Sequence, residues 1–346
     1  MSDEQQQLDL ENLLGGRVNQ PQPPEKSAPK VRKAKPTTRA TLKLIEAAAE
    51  IALDRATEED AAYIARELVQ CTLPHKNPGD EKPTWTRKNG NLSLVIQQGY
   101  DHAGKPYGHP FGTIPRLLLF WITTEAVKTK TRRLELGKSL AGFMDELGLS
   151  SYTGGGPRGD AKRLREQMQR LFQARIGFHL NTETQGRQSH AWINMEVAPE
   201  GELWWDTKNP NQGTLWGSWI ELGDKFFRAI TAAPIPVDVR ALKALKRSPL
   251  ALDLYAWLTH ESYRAHKSGN GRFLAWPLLM EQLGAEYTSP KDFGKYARAA
   301  LRKVAVVYPA LKLGSLRAGV RIEPDSFPAI QPRERATFDL KPSRDG

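Results

Sequence analysis

Apolar positions along the chain follow a helical period in some stretches and an alternating one in others. From Thr41 to Gln70, TLKLIEAAAEIALDRATEEDAAYIARELVQ has helical spacing with a break near RATEED. There Thr57 can cap a second helix ahead of Glu58 and Glu59, so two short helices are expected. LPHKNPGDEKP (73–83) reads as a Pro/Gly loop, and NLSLVIQ (91–97) alternates like a strand. The pattern then predicts a buried helix from Pro115 to Val127, a capped helix from Ser139 to Leu147 closed at Gly148, and a third helix from Asp160 to Ala174. IGFHLNTET and SHAWINMEV follow as alternating segments joined by QGRQ.

A second series begins at WGSWIEL and the amphipathic GDKFFRAI. It continues with a helix around VRALKAL and another, PLALDLYAWLTHESY, opened by Pro249 at its first turn. RFLAWP can form a short strand, PLLMEQLG a helix ended by Gly284, and SPKDFGKYARAALRKVAVV a long helix capped by Ser289. LKLGSLRAGVRIE reads as a hairpin with Gly in its loop.

The two series also repeat in spelling. WITTE (121–125) and WLTHE (257–261) lie 136 positions apart, as do MDELG (144–148) and MEQLG (280–284). LREQMQRL (164–171) matches ARAALRKV (297–304) at the shorter spacing that places Arg165 on Arg298. A unit of this length present twice is not a solenoid, whose short repeats stack many times. The pentapeptide needs no chemistry: Trp121 and Trp257 would face cores, because large aromatics dominate interiors, and the Glu would end each helix on its wet side.

Helix, short strand, helix, turn, helix, hairpin is the order of a winged helix-turn-helix domain. The expected fold is α+β, with two such domains in tandem. Residues 74–214 form the first and 215–332 the second; a helical segment (37–73) precedes them and a C-terminal tail (333–346) follows. Residues 1–36, with QQQ, PQPP and scattered Lys and Arg, hold too few apolar residues to offset chain entropy and read as a disordered basic tail.

Composition narrows the partners. A hydrophobic share of 39% supports packed interiors, and a formal charge of +11 favours a polyanion. The longest apolar run, LLLFWI (117–122), is far short of the roughly 20 residues a bilayer helix needs, so no membrane partner is expected. MSDEQQQLDL has neither a basic nor an apolar signal region, and Cys71 is the one cysteine, so a reducing, cytoplasmic setting is expected with no disulfide framework. Cys71 itself reads as a small buried hydrophobe at a helix end.

The binding signal lies on the last helix of each series. At about 100° per residue, Lys291, Lys295, Arg298 and Arg302 fall within an arc of roughly 60°, opposite Phe293, Ala297, Ala300, Leu301 and Val304. No carboxylate stands on that stripe. In the first series, Leu164, Met168, Leu171 and Phe172 point inward, leaving Arg163, Gln167 and Arg170 outward with Lys162 and Gln173 at the flanks. Arg suits a guanine edge and Gln an adenine edge in the major groove, whereas an all-cation stripe serves phosphates as well. Arg187, Arg317 and Arg321 would be wing contacts to backbone or minor groove.

No enzyme signature emerges. GGGPRGD (154–160) has Asp160 where a phosphate loop needs Lys, and GKS (137–139) lacks the required upstream Gly. The histidines form no metal-ligand pair, and one Cys cannot build a zinc knuckle, so no catalytic residue, cofactor or metal is assigned. Trp204 and Trp205 read as strand-core residues rather than base-stacking ones.

TIPRLLLFWITTEAV, LELGKSLAGFMDELGLS and LKRSPLALDLYAWLTH resemble the plasmid-encoded RepA family of replication initiator proteins, over roughly residues 60 to 332. The resemblance implies a non-enzymatic bacterial plasmid protein with two winged-helix domains. It would bind repeated sequences in double-stranded DNA at the plasmid origin, help open the duplex, and recruit host replication proteins such as a helicase or its loader. Repression of its own promoter, and the balance of monomer and homodimer, stay open. In the tail, Gln7, Leu8, Asp9 and Leu10 are similar to a sliding-clamp docking motif, although Glu11 stands where an aromatic is usual. A transcriptional repressor of the same fold is the alternative that the sequence leaves standing.

Overall fold

The computed structural model describes residues 38–54, 56–150, 159–184, 187–204, 217–284 and 287–330. Backbone contacts divide the chain into Met1–Thr38 and Arg39–Gly346, and the fold described is that of the second unit. It mixes helices and strands, and a single cluster of buried apolar side chains runs from Ile51 to Ile322.

Helix α1 (Arg39–Leu53) opens the unit as expected. The second expected helix does not form as read: Ala61–Ala65 is strand β1, followed by a five-residue helix α2 (Arg66–Gln70). AAYIA has helical spacing, but β1 pairs antiparallel with Pro234–Asp238, and that distant partner overrides a weak local preference. Cys71 caps α2 and is fully buried; burial pushes its thiol up to about 12, as an inert core residue requires. After the Pro/Gly loop comes β2 (Thr84–Asn89), a strand not read from the sequence, and then β3 (Leu92–Gln97).

Helix α3 (Ile114–Thr129) is buried along nearly its whole length, and Trp121 meets Phe143 edge to face with ring centroids 5.0 Å apart. Strand β4 (Arg133–Glu135), α4 (Leu140–Glu146, capped by Ser139), α5 (Asp160–Phe172) and the long strands β5 (Arg175–Thr184) and β6 (Arg187–Glu196) complete the first series. After β7 (Glu200–Glu202), β8 (Trp219–Glu221), α6 (Asp224–Ala232), β9 (Pro234–Asp238) and α7 (Val239–Leu245) come the matching elements: α8 (Pro249–Ser268), β10 (Arg272–Ala275), α9 (Trp276–Leu283), α10 (Pro290–Val307) and β11 (Gly319–Ile322).

The element order repeats but the strand pairing does not. In the second series β10 pairs with β11, while in the first β4 joins β8 and β7, and the hairpin extends a sheet ordered β2-β3-β5-β6. The first arm of the expected second hairpin reduces to one bridge, Leu313 to Ile322.

Both pentapeptide Trp residues are buried, and Thr124 accepts the Tyr63 backbone N–H at 2.8 Å, fastening α3 to β1. Glu261 corrects the expectation of a wet side. It is buried and accepts from Arg264 and from Arg272, each at 2.9 Å, so it ties α8 to β10. Trp204 is exposed rather than packed in a strand core, because β7 ends before it; Trp205 lies outside the described residues.

Candidate nucleic-acid interface

Helix α10 begins where the Ser289 hydroxyl accepts the Asp292 backbone N–H, and Pro290 occupies the first turn. Phe293, Ala297, Ala300, Leu301, Val304 and Val307 are buried, so the apolar face fixes the helix rotation. Lys291, Lys295 and Arg302 consequently stand in solvent, joined by Lys303, which the stripe reading left out. Tyr296, 53% exposed, sits among them with the Lys295 ammonium 6.0 Å from its ring centre.

Trp276 organises the rest. Its indole N–H donates to the Arg317 carbonyl at 3.2 Å, and the Arg298 guanidinium lies over its ring at 5.4 Å. Gly294 lets the indole come this close, since a Cβ there would stand 3.3 Å from the ring. One buried aromatic thus gathers the helix stripe and the 313–318 loop that carries Arg317. Arg321, exposed on β11, faces its register partner Phe273 at 5.4 Å.

The first series departs from expectation. On α5, Lys162 and Arg163 are exposed, and Arg163 reaches Asp160 at 3.2 Å. Gln167 is buried: its side-chain oxygen accepts the Phe111 backbone N–H at 2.9 Å. Arg170 keeps only 16% of its side chain in solvent, donates to the His109 carbonyl at 3.1 Å, lies 3.5 Å from Asp80, and covers the Phe111 ring. Neither side chain faces outward as the wheel predicts, because residues 108–112 close over that flank. Gly108, at φ +85°, holds a left-handed backbone that a side chain would strain, and a Cβ there would push on the Asp80 carboxylate and the Arg170 guanidinium.

Arg187 opens β6 in register with Thr184 and is exposed; residues 185 and 186 between them lie outside the described residues. Gln7, Leu8, Asp9 and Leu10 also lie outside them. Among the described residues, no group of three or more His, Cys, Asp or Glu is placed to hold a metal ion, and no helix is long and apolar enough to cross a membrane.

What the geometry defines is a cationic, aromatic-bordered helix face held on a mixed α+β frame. The family model described as plasmid encoded RepA protein matches residues 109–277. The resemblance to that family, read from the long motifs, is thereby shown over a segment that contains both pentapeptides and stops short of α10. No curated protein matches the chain. Among solved structures, a selenomethionine crystal structure of domains 2 and 3 of RctB is similar at 12% identity and a TM-score of 0.46, covering 73% of this chain and 95% of that one. A second structure of RctB domains 2 and 3 follows at 10% identity and a TM-score of 0.42, covering 73% and 86%.

Proposed function

We propose that this chain is a plasmid replication initiator that binds repeated duplex sequences at an origin, favours strand separation and recruits host replication proteins without enzymatic chemistry. The observation that carries the reading is the open stripe Lys291, Lys295 and Arg302, joined through Trp276 to Arg298 and Arg317. Cations spaced one helical turn apart match a polyanionic rod, and an exposed tyrosine among them adds a flat contact. The family match supports the plasmid setting.

In this reading, residues 74–214 and 215–332 act as two winged-helix modules. The antiparallel pairing of β10 with β11 supports that assignment for the second. In the first, Lys162 and Arg187 are exposed, Arg163 is exposed but paired with Asp160, and Gln167 and Arg170 position the surface instead of reading bases. Footprinting on the cognate plasmid, with an origin fragment tested for replication with and without the chain, checks the proposal. Protection of repeats together with chain-dependent replication is expected. Protection without replication would leave only a repressor.

A further inference from the structure

We propose that the solvent face of the β2-β3-β5-β6 sheet is a platform for the unpaired bases of single-stranded DNA, with Trp192 as its principal stacking surface. This rests on the initiator reading only in supplying an opened strand; the geometry stands apart from the α10 stripe.

The register aligns Lys88, Ser93, His179 and Trp192 in one row across all four strands. Because side chains alternate along a strand, this row shares its face with His190. His179 and His190 stack at 5.4 Å between centroids with planes 17° apart, their Nδ1 and Nε2 atoms 3.2 Å from one another. His190 lies 5.2 Å from Trp192. Three rings therefore form a ladder on this face, and Trp192 is 63% exposed. The opposite face is filled by Ile176, Phe178, Met195, Leu94 and Ile96, so core packing does not call for Trp192.

Beside the ladder, Trp192, Ile193 and Asn194 border an open groove whose other wall is Lys225, Arg228 and Ala229 of α6. Lys88 lies at the far end of the row. Glu196 pairs with Arg175 and Asp224 shares the charge of Arg228, so the groove's cationic wall rests on Lys225, and Glu183 lies toward the hairpin tip. Flat rings flanked by cations are what successive bases on a phosphate backbone need, at about 1–3 kcal/mol per stacked base. A duplex hides its base faces in its own stack, so it cannot use this ladder. An extended acidic peptide would bind along the β6 backbone edge and would gain little from three rings.

The test is anisotropy of labelled oligothymidine on the full chain, with Trp192→Ala and His190→Ala, alongside origin duplex. Trp192→Ala is expected to weaken oligothymidine binding about ten-fold, with Trp192→Phe retaining most of it and duplex affinity unchanged. Wild-type intrinsic fluorescence should be quenched by the oligonucleotide, and that response should be lost in Trp192→Ala. Unchanged oligothymidine affinity in Trp192→Ala overturns the platform, as does Trp192-dependent binding of an acidic peptide without binding of oligothymidine. Trp192-dependent oligothymidine binding without duplex binding would support the platform while removing the initiator reading.

Discussion

The Arg116 guanidinium grips the Asp253 carboxylate with two hydrogen bonds of 2.7 Å each, joining α3 of the first series to α8 of the second. Its remaining N–H groups donate to the carbonyls of Leu73, Pro74 and Gly112, so all five donors are used in a site shut off from water. His75 completes the cluster at 2.8 Å from the same carboxylate. Such a pair does not have to add net stability, but leaving one member alone is costly.

Asp253→Asn should therefore destabilise the protein by about 3–5 kcal/mol, because it strands a buried guanidinium. The double change Arg116→Met with Asp253→Leu should recover only part of that loss, because it also takes a donor from the Leu73, Pro74 and Gly112 carbonyls and the partner from His75. Urea unfolding followed by circular dichroism reads both.

Acid should unfold the chain through Asp253 and Glu261. Burial raises each carboxyl, yet Arg116 and His75 hold Asp253 well below the usual carboxylate range, and the His260 hydrogen bond with Arg264 and Arg272 brings Glu261 down to about 2. A depressed folded pKa contributes stability that is complete above the unfolded value near 4 and fades as pH falls through the folded one. The stability–pH curve should drop below about pH 4, and Glu261→Gln should be less stable at pH 7 yet flatter over the acid range. A wild-type slope in Glu261→Gln would count against the Glu261 contribution.

On the basic stripe, Lys295→Ala with Arg302→Ala should lower duplex affinity about ten-fold or more and reduce the slope of log affinity against log salt by about 0.9 per lost phosphate contact. Salt-titrated gel shifts with origin duplex measure both quantities. The fold should be unaffected, since both side chains stand in solvent.

Arg170→Ala should act on stability more than on base choice. Removing the guanidinium frees Asp80 and the His109 carbonyl, and Gly108→Ala should do comparable damage by forcing a Cβ into that space at positive φ. A loss of about 1–3 kcal/mol in unfolding free energy, with base preference in binding-site selection unchanged, is expected for Arg170→Ala.

Cys71 should resist thiol reagents in the folded chain and react only on unfolding. Its thiol, fully buried and pushed up to about 12, carries almost no thiolate at neutral pH. Labelling that outpaces global unfolding in a denaturant series would contradict this.

Sequence by itself determined the helices with strong amphipathic period and caps: α10 with Ser289, α4 with Ser139 and α8 with Pro249 lie where periodicity and local cap chemistry place them. It also determined the α10 stripe, because an apolar face five residues strong leaves one rotation for the helix. Tertiary structure alone decided what depends on distant partners. Ala61–Ala65 became a strand because Pro234–Asp238 lies beside it, and Gln167 and Arg170 turned from readers into anchors because residues 108–112 cover their flank. The ladder of His179, His190 and Trp192 arises from cross-strand register. Local period fixes which face of an element is apolar; only packing fixes what the other face meets.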